Sequence, residues 1–169
     1  MPWTIDGKRV LVTGANSGIG LATATELARR GADVTITARD RTKGEAAAAS
    51  IRRDAGRSVE LGILDLASLD SVRSFSGRFA DDHDRLDVLI NNAGVMAGTR
   101  RETPEGFEWT FGVNHLGPFL LTNLLTPLLV ASAPSRVINV SSEASRGARA
   151  GLDFDDLQMT TGYSPNKAY

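Results

Sequence analysis

The sequence predicts an α/β fold, a doubly wound parallel sheet with helices on both faces. Three observations support this prediction. Short β-branched runs alternate with longer segments of helical periodicity, a glycine-rich turn follows the first of these runs, and polar motifs follow the later ones. Right-handed crossovers between successive strands then give the strand order 3-2-1-4-5.

Hydrophobic periodicity places the elements along the chain. The strands are predicted at residues 9–12, 33–37, 58–61, 86–90 and 136–140, and the helices at residues 18–30, 41–54, 68–81 and 104–131. A doubly wound dinucleotide fold usually has a sixth strand. The C-terminal strands are therefore expected to be missing, and the sequence to be the N-terminal portion of a longer protein.

Residues that commonly begin or end helices mark several of these boundaries. Gly31 follows two arginines, as is common at the C-terminus of a helix. Ser68 is predicted to cap the third helix, and Thr103 to cap a fourth helix that begins at Pro104. Pro118, which follows a glycine, is expected to kink or interrupt that last helix.

Composition and charge are those of one globular domain that spans residues 1–169. A hydrophobic share of 41% is enough for a packed core. The net charge of −1 gives no field that would attract nucleic acid or an anionic membrane. The chain has no cysteine and begins without a signal-peptide pattern, so a cytoplasmic location is expected.

The sequence predicts neither a membrane-spanning helix nor a metal site. The most apolar stretch, residues 118–131, is interrupted by polar residues and by a proline. It is therefore predicted to be a buried helix rather than a membrane span. Two separated histidines and the absence of cysteine give no metal-ligand spacing, so no metal site is expected.

The first strand leads into the motif T-G-A-N-S-G-I-G at residues 13–20, which opens a helix. Residues without a Cβ allow the backbone to approach phosphates closely, and the N–H groups at the start of a helix attract an anion. A strand, a glycine turn and a helix in this order are typical of a Rossmann fold that binds a dinucleotide pyrophosphate. The alternative is an ordinary turn.

Four more motifs stand at strand ends or in the last helix: Asp65-Leu66, N-N-A-G at residues 91–94, Asn114 in V-N-H-L-G, and Ser141-Ser142. In this order, and with the glycine loop, they make the chain resemble the short-chain dehydrogenase/reductase family over essentially all 169 residues. The resemblance implies an oxidoreductase that uses a nicotinamide dinucleotide. The cofactor-binding residues that it implies are Gly14, Asn16, Ser17, Gly18, Ile19, Gly20, Arg39, Asp65, Leu66, Asn92, Ala93 and Gly94.

Two of these motifs have purely structural alternatives. Asn91 and Asn92 could form only a turn, because asparagine tolerates left-handed backbone and bonds to nearby peptide groups. Asp65 could merely cap the helix that begins near Ala67.

The end of the second strand bears on the choice between NADP and NAD. An acid there bonds the ribose of NAD, whereas an arginine accepts the 2′-phosphate of NADP. Ala38 stands where the NAD-using members of the family carry aspartate, and Arg39 matches the arginine of the NADP-using members. Arg41 and Lys43 add positive charge, while Asp40 is the counter-argument because a shift of one residue could bring it to the ribose. The structural alternative is that Arg39 is a solvated surface residue. NADP is favoured, with NAD as the alternative.

The chemistry of this family needs a tyrosine with a lysine four residues later on the same helix. Tyr163 and Lys167 are a literal match. Pro165, however, belongs in the first turn of a helix with Ser164 before it, so Tyr163 would lie outside the helix. Tyr169 stands inside, in a setting that resembles the retinol dehydrogenase-like branch of the family. The resemblance then implies Tyr169 as the catalytic tyrosine and a lysine at position 173, beyond this chain.

The resemblance also implies a role for each catalytic residue. Tyr169 would exchange a proton with the substrate oxygen, Ser142 would hydrogen-bond that oxygen, and Asn114 would hold a water in the proton path. Ser141 is the nearest rival of Ser142. His115 is expected to pack or bond locally rather than to catalyse.

The function predicted is hydride transfer between NADP(H) and a small-molecule alcohol or carbonyl substrate. The alternatives are a non-catalytic nucleotide-binding module or an inactive truncated fragment, since the partner lysine and the last strands are not in the chain. The apolar helix at residues 104–131 could form a helix-to-helix contact in a homo-oligomer.

Overall fold

The computed structural model describes residues 3–144 and 151–169, and within them a five-stranded parallel sheet forms the centre of the fold. Its strands are β1 (Arg9–Val12), β2 (Asp33–Ala38), β3 (Glu60–Ile63), β4 (Val88–Asn91) and β5 (Arg136–Asn139). Their order is β3-β2-β1-β4-β5. The predicted fold class and strand order are therefore confirmed.

Helices pack on both faces of the sheet around its central strands, whose successive residues point to opposite sides, whereas every residue of the edge strand β5 is exposed. The helices are α1 (Gly18–Arg29), α2 (Arg41–Ala55), α3 (Leu69–Asp82), α4 (Trp109–Ala131) and α5 (Pro165–Ala168). Val10 and Val12 of β1 pack in one core with alanines of α1 and Ile51 of α2. Leu11 packs in the other core, with Phe75 of α3 and Leu125 of α4.

A glycine ends α1, and side-chain caps begin α2 and α3. Gly31, which has a φ of 91°, follows the last turn of α1 as predicted. The Asp40 carboxylate accepts a hydrogen bond of 2.9 Å from Lys43 N and caps α2. Ser68 caps α3 as predicted, with its hydroxyl accepting from Ser71 N.

The start of α4 differs from the prediction of a helix that begins at Pro104 with Thr103 as its cap. Residues 103–107 form a turn instead, closed by a bond of 2.8 Å from Thr103 N to the Phe107 carbonyl. The helix begins at Trp109, because the carboxylate of the preceding Glu108 accepts hydrogen bonds from the N–H groups of residues 110 and 111, at 2.9 and 2.7 Å. A buried carboxylate that satisfies two free N–H groups determines where this helix starts.

Two strands are also displaced from their predicted positions. Strand β3 begins at Glu60 rather than at Ser58, because its pairing with β2 starts where Glu60 meets Thr35. Strand β4 begins at Val88, since Leu86 and Asp87 precede the ladder and use their backbone and side chains in other contacts.

The helix α4 continues through Gly117 and Pro118, where a kink or an interruption was predicted. The irregularity lies one turn earlier, at Gly112–Leu116, which is π-helical. Gly117 follows this turn, and a Cβ there would overlap the carbonyl oxygen of Leu66. Close packing of α4 on the loop after β3 therefore requires glycine at this position.

The burial of α4 is one-sided, whereas a buried helix was predicted. Leu121, Leu125 and Leu129 are buried in the core. Phe119 and Val130 are 62% and 68% exposed. By length and composition alone, this helix of 23 residues is also long and apolar enough to cross a bilayer, a test that the core helices of α/β domains pass as well.

Candidate active site

The glycine loop lies at the carboxyl end of β1 and packs against the loop that follows β4. Gly14 has a φ of 64°, and a Cβ on it would lie 2.8 Å from the Cα of Ala93. In an open parallel sheet, ligands bind beyond the carboxyl ends of the strands. The two motifs thus meet at the edge of the sheet where a dinucleotide would bind.

Thr13 and Asn92 join these two loops. The Thr13 hydroxyl accepts hydrogen bonds from Asn92 N at 3.0 Å and from Ala93 N at 3.1 Å. The Asn92 side chain donates to the Thr13 carbonyl at 2.8 Å. Thr13 is fully buried, and its linking role was not predicted. The Asn92 amide therefore stabilises the conformation of the glycine loop. Its contacts extend beyond the local turn that was the structural alternative for this motif.

The start of α1 has the features that a dinucleotide pyrophosphate requires. Ser17 occupies the N-cap position, but its side chain makes no capping hydrogen bond. Gly18 has a φ of 58° and open space where a Cβ would stand. Ile19 is 72% exposed, and Asn16 is half-buried in the turn. The first N–H groups of an α-helix have no partner within the helix, and they lie at the positive end of its dipole. With no side-chain cap and with open space beside Gly18, this helix start is suited to a bound phosphate.

Replacing Gly20 by alanine is expected to lower the free energy of unfolding by about 1–3 kcal/mol, as overpacking of a tight site does. A Cβ at this position would overlap the side-chain nitrogen of Asn92 and lie 2.7 Å from the Gly14 carbonyl oxygen. Urea denaturation measures the change. The matched control is Gly77→Ala in α3, where a Cβ meets nothing within 4 Å. That change should stabilise the protein by about 0.5–1 kcal/mol, and equal effects of the two changes would contradict the steric argument.

The motif after β3 serves the local structure. The Asp65 carboxylate accepts a hydrogen bond of 2.9 Å from Ala67 N, and Asp65 N donates to the hydroxyl of Ser71. Leu66 is buried and contacts the backbone of α4 at Gly117. The carboxylate closes the turn before α3, while Ser68 is the cap of that helix.

At the end of β2, Arg39 and Asp40 are both exposed, and Ala38 is buried. Because one oxygen of the Asp40 carboxylate accepts from Lys43 N, this acid is held in the cap of α2. Arg39 is the cationic residue that directly follows the strand.

A cleft of about 560 Å³ opens beside the carboxyl ends of β4 and β5. It brings together the three predicted catalytic residues Asn114, Ser142 and Tyr169. The other residues that line it are Asn91, Asn92, Ala93, Gly94, His115, Pro118, Phe119, Thr122, Asn123, Asn139, Val140 and Ser141. Tyr169 is 49% exposed, so its side chain is accessible from the solvent.

Asn114 stands in the π-helical turn of α4 and is fixed by the loop after β4. Its Oδ1 atom accepts a hydrogen bond from Val95 N, and its Nδ2 atom donates to the Val95 carbonyl, each at 2.8 Å. π-helical turns occur frequently at functional sites. The side chain therefore has a single orientation, with one Nδ2–H and one lone pair of Oδ1 left for a further partner.

The floor of the cleft is polar and links three elements. The Asn91 side chain donates to the Thr122 hydroxyl of α4 at 3.0 Å and to the Asn139 side chain of β5 at 2.8 Å. Ser142 is half-buried, and its hydroxyl accepts from Ala144 N at 3.1 Å. Ser141 is exposed and also lines the cleft.

Tyr163 lies outside the cleft, and its hydroxyl is engaged elsewhere. It donates a hydrogen bond of 2.9 Å to the Ala97 carbonyl. The helix α5 begins at Pro165 with Ser164 in the N-cap position, as predicted, so Tyr163 precedes the helix that contains Lys167. His115 lines the cleft and stacks between two phenylalanine rings of α4, at centroid distances of 5.3 and 6.2 Å.

The chain is similar to a family model, to curated proteins and to solved structures. The family model described as short chain dehydrogenase matches residues 8–153. The chain is 53% identical to human retinol dehydrogenase 13 over 168 residues, which cover 98% of this chain and 50% of that protein. The chain spans about half the length of the curated relatives that it matches.

Two solved structures resemble the fold closely. A protein from Mycobacterium paratuberculosis is 46% identical with a TM-score of 0.81, over 100% of this chain and 60% of that one. A short chain dehydrogenase from Escherichia coli CFT073 in complex with NADPH is 31% identical with a TM-score of 0.75, over 85% of this chain and 62% of that one.

Proposed function

Because the chain belongs to the short-chain dehydrogenase family, we propose that it forms the NADP(H)-binding and proton-transfer part of an oxidoreductase that interconverts an alcohol and a carbonyl compound. The observation that carries this proposal is the cleft shared by Asn114, Ser142 and Tyr169, beside the loop after β4 that packs on the glycine loop. A bound nicotinamide supplies or accepts the hydride.

Each of the three residues has a task that its position supports. The hydroxyl of Tyr169, a residue that lines the cleft and is half-exposed, gives a proton to or takes it from the substrate oxygen. The Ser142 hydroxyl hydrogen-bonds the same oxygen, whose charge changes as the hydride moves. Asn114 uses its remaining Nδ2–H or Oδ1 lone pair to hold a water in the proton path, since its other two contacts are made with Val95.

The cofactor is proposed to be NADP rather than NAD. Arg39 follows β2 directly, and Ala38 offers no carboxylate to the ribose. The Asp40 carboxylate is held in the cap of α2 by its hydrogen bond from Lys43 N. This supports the proposal that Arg39, and not Asp40, contacts the cofactor at this position and binds the 2′-phosphate. The relative from Escherichia coli binds NADPH.

Replacing Arg39 by alanine is expected to weaken NADPH binding about 10-fold or more, because a charge-assisted contact to a phosphate is lost. NADH binding should change little. Titration of the protein with each cofactor, followed by the fluorescence of Trp3 and Trp109, measures both constants. The control is Arg53→Ala, at the other end of α2. Equal weakening of NADPH and NADH binding by the Arg39 change would contradict the proposal.

The activity itself is tested with the full gene product. NADPH is added with an aliphatic aldehyde, an aromatic aldehyde or all-trans-retinal, the last chosen because the curated relatives are named retinol dehydrogenases. We expect consumption of NADPH with at least one of these compounds. Saturable binding of NADPH without turnover of any of these aldehydes, and without oxidation of the corresponding alcohols when NADP+ replaces NADPH, would contradict the proposal and favour a non-catalytic nucleotide-binding module.

A further inference from the structure

The segment that leads to Tyr169 is docked on the loop that precedes α4. A compact turn presents this segment: the Asp156 carboxylate accepts from Thr160 N at 2.8 Å and from Thr161 N at 3.2 Å, and also from both hydroxyls. These bonds, with that from Thr160 N as the largest, hold the pKa of Asp156 below its usual value. The turn therefore has its own internal structure before it meets the rest of the fold.

Gln158 makes the first contact across to the other segment. Its side-chain oxygen accepts a hydrogen bond of 2.6 Å from Glu108 N, and its carbonyl accepts from the Arg100 guanidinium at 3.1 Å. Glu108 is only 1% exposed, and its carboxylate caps α4. Gln158 thus provides a hydrogen-bond acceptor for the backbone N–H of Glu108, a residue that is buried at the start of this helix.

Tyr163 makes the second contact, with the same group of residues. Its hydroxyl donates to the Ala97 carbonyl at 2.9 Å and lies 3.5 Å from Oε1 of Glu108. Ala97 is buried, and its N–H donates to the hydroxyl of Thr110 in the first turn of α4. The phenol therefore ties the segment before α5 to both the loop and the helix start.

Two of these contacts, at Ala97 and Arg100, fall on the loop of residues 95–101, which also fixes Asn114. Val95 forms both hydrogen bonds to the Asn114 side chain, and Ala97 follows two residues later. One short loop thus fixes Asn114 on one side and anchors, through Tyr163, the segment that ends at Tyr169.

We propose that Glu108, Gln158 and Tyr163 are positioning residues that set the placement of Tyr169 relative to Asn114 across the cleft. They act through the loop 95–101 and the start of α4, and they do not touch the reacting atoms. The catalytic part of this inference rests on the proposed function, whereas the docking itself rests on contacts of 2.6 to 3.5 Å.

The test is Tyr163→Phe in the full gene product, a change that removes only the hydroxyl. We expect kcat with the best aldehyde to fall about five- to tenfold, which corresponds to one hydrogen bond, while KM for NADPH changes less than about twofold. Amide hydrogen exchange of residues 95–101 and 164–169 should accelerate, and exchange in the sheet should stay unchanged. The matched control is Ser135→Ala, which removes a hydroxyl that donates to a backbone carbonyl at the far end of α4.

The result that overturns the proposal is a lower melting temperature, as in Ser135→Ala, with unchanged kcat and unchanged exchange at residues 164–169. Should Tyr163→Phe fail to fold, Gln158→Ala is judged by the same two readouts, since Gln158 is only half-buried. A wild-type protein without turnover would contradict the proposed function alone. Hydrogen exchange would then still decide whether these residues dock the segment that carries Tyr169.

Discussion

Replacing Tyr169 by phenylalanine is expected to lower the turnover of the full gene product by at least about 100-fold, because a positioned general acid or base contributes about 100- to 10,000-fold to such a reaction. The change leaves the glycine loop untouched, so the affinity for NADPH should stay within about twofold of the original. Steady-state kinetics with the best aldehyde, together with NADPH titration, measures both effects.

The chain contains a matched comparison for this experiment, since it has two tyrosines. Tyr163→Phe removes the same hydroxyl from a residue that donates to the Ala97 carbonyl outside the cleft, and its loss of turnover should be at least tenfold smaller. If Tyr163→Phe abolished turnover while Tyr169→Phe retained it, the assignment of Tyr169 as the catalytic tyrosine would be wrong.

The second large effect concerns Asp87, at the opposite end of the sheet from the cleft. Its side chain is fully buried and accepts four hydrogen bonds from three residues: two from Arg85 at 2.6 and 3.0 Å, one from Lys8 at 3.0 Å and one from Arg9 N at 2.8 Å. Burial by itself raises the pKa of this carboxyl, but the hydrogen bonds from Arg85, Arg9 N and Lys8 outweigh it, and the pKa lies below its usual value. The carboxylate joins β1 to the segment before β4.

Asp87→Asn is expected to lower the free energy of unfolding at neutral pH by about 2–3 kcal/mol. The amide keeps one acceptor but turns a donor toward the arginine and lysine donors, and the buried charge pairing is lost. The loss is smaller than for a fully buried ion pair because Arg85 and Lys8 are 45% and 24% exposed and can reach water.

The stabilisation that Asp87 provides depends on pH. A carboxyl whose pKa is lowered by folding stabilises the protein above its usual pKa of 3.8, and that stabilisation is lost as the pH falls through the lower pKa of the folded state. The difference between wild type and Asp87→Asn should therefore shrink in urea denaturation between about pH 7 and about pH 3. Asp70→Asn, at an exposed ion pair with Arg73, is the control and should show little change. A difference that is the same at both pH values would contradict the role of the charge.

Much of the fold follows from local patterns in the sequence. Strand β1 alternates between the two cores and so shows a sheet covered on both sides, and the caps at Ser68 and Gly31 lie where their residue types suggest. The order of the strands follows from the handedness of the crossovers, which holds for nearly all such connections. Motifs at strand ends indicate the cleft because parallel strands direct their carboxyl ends to one edge.

The features that were missed depend on partners far away in the sequence. Glutamate is not a common cap, and the backbone N–H of the capping Glu108 donates to Gln158, 50 residues later. Tyr163 is anchored by Ala97, 66 residues earlier. The residue types of Ser58 and Val59 are compatible with a strand, but β3 begins only at Glu60, where the pairing with β2 starts. The partner strand therefore sets the start of β3. Such contacts are decided by tertiary packing and leave no local pattern.

The π-helical turn at Gly112–Leu116 positions Asn114 for the cleft, although the packing of α4 does not itself require this turn. Such a turn accommodates one residue more than an α-helical turn, so it amounts to an insertion in an otherwise regular helix. A chain one residue shorter here could form a continuous α-helix, with the Glu108 cap and the Leu121 side of α4 still in register. What that shorter helix would lose is the bulge that turns Asn114 toward Val95. The position of Asn114 is thus an addition to a complete scaffold, of the kind that a single codon can bring into a gene or remove from it.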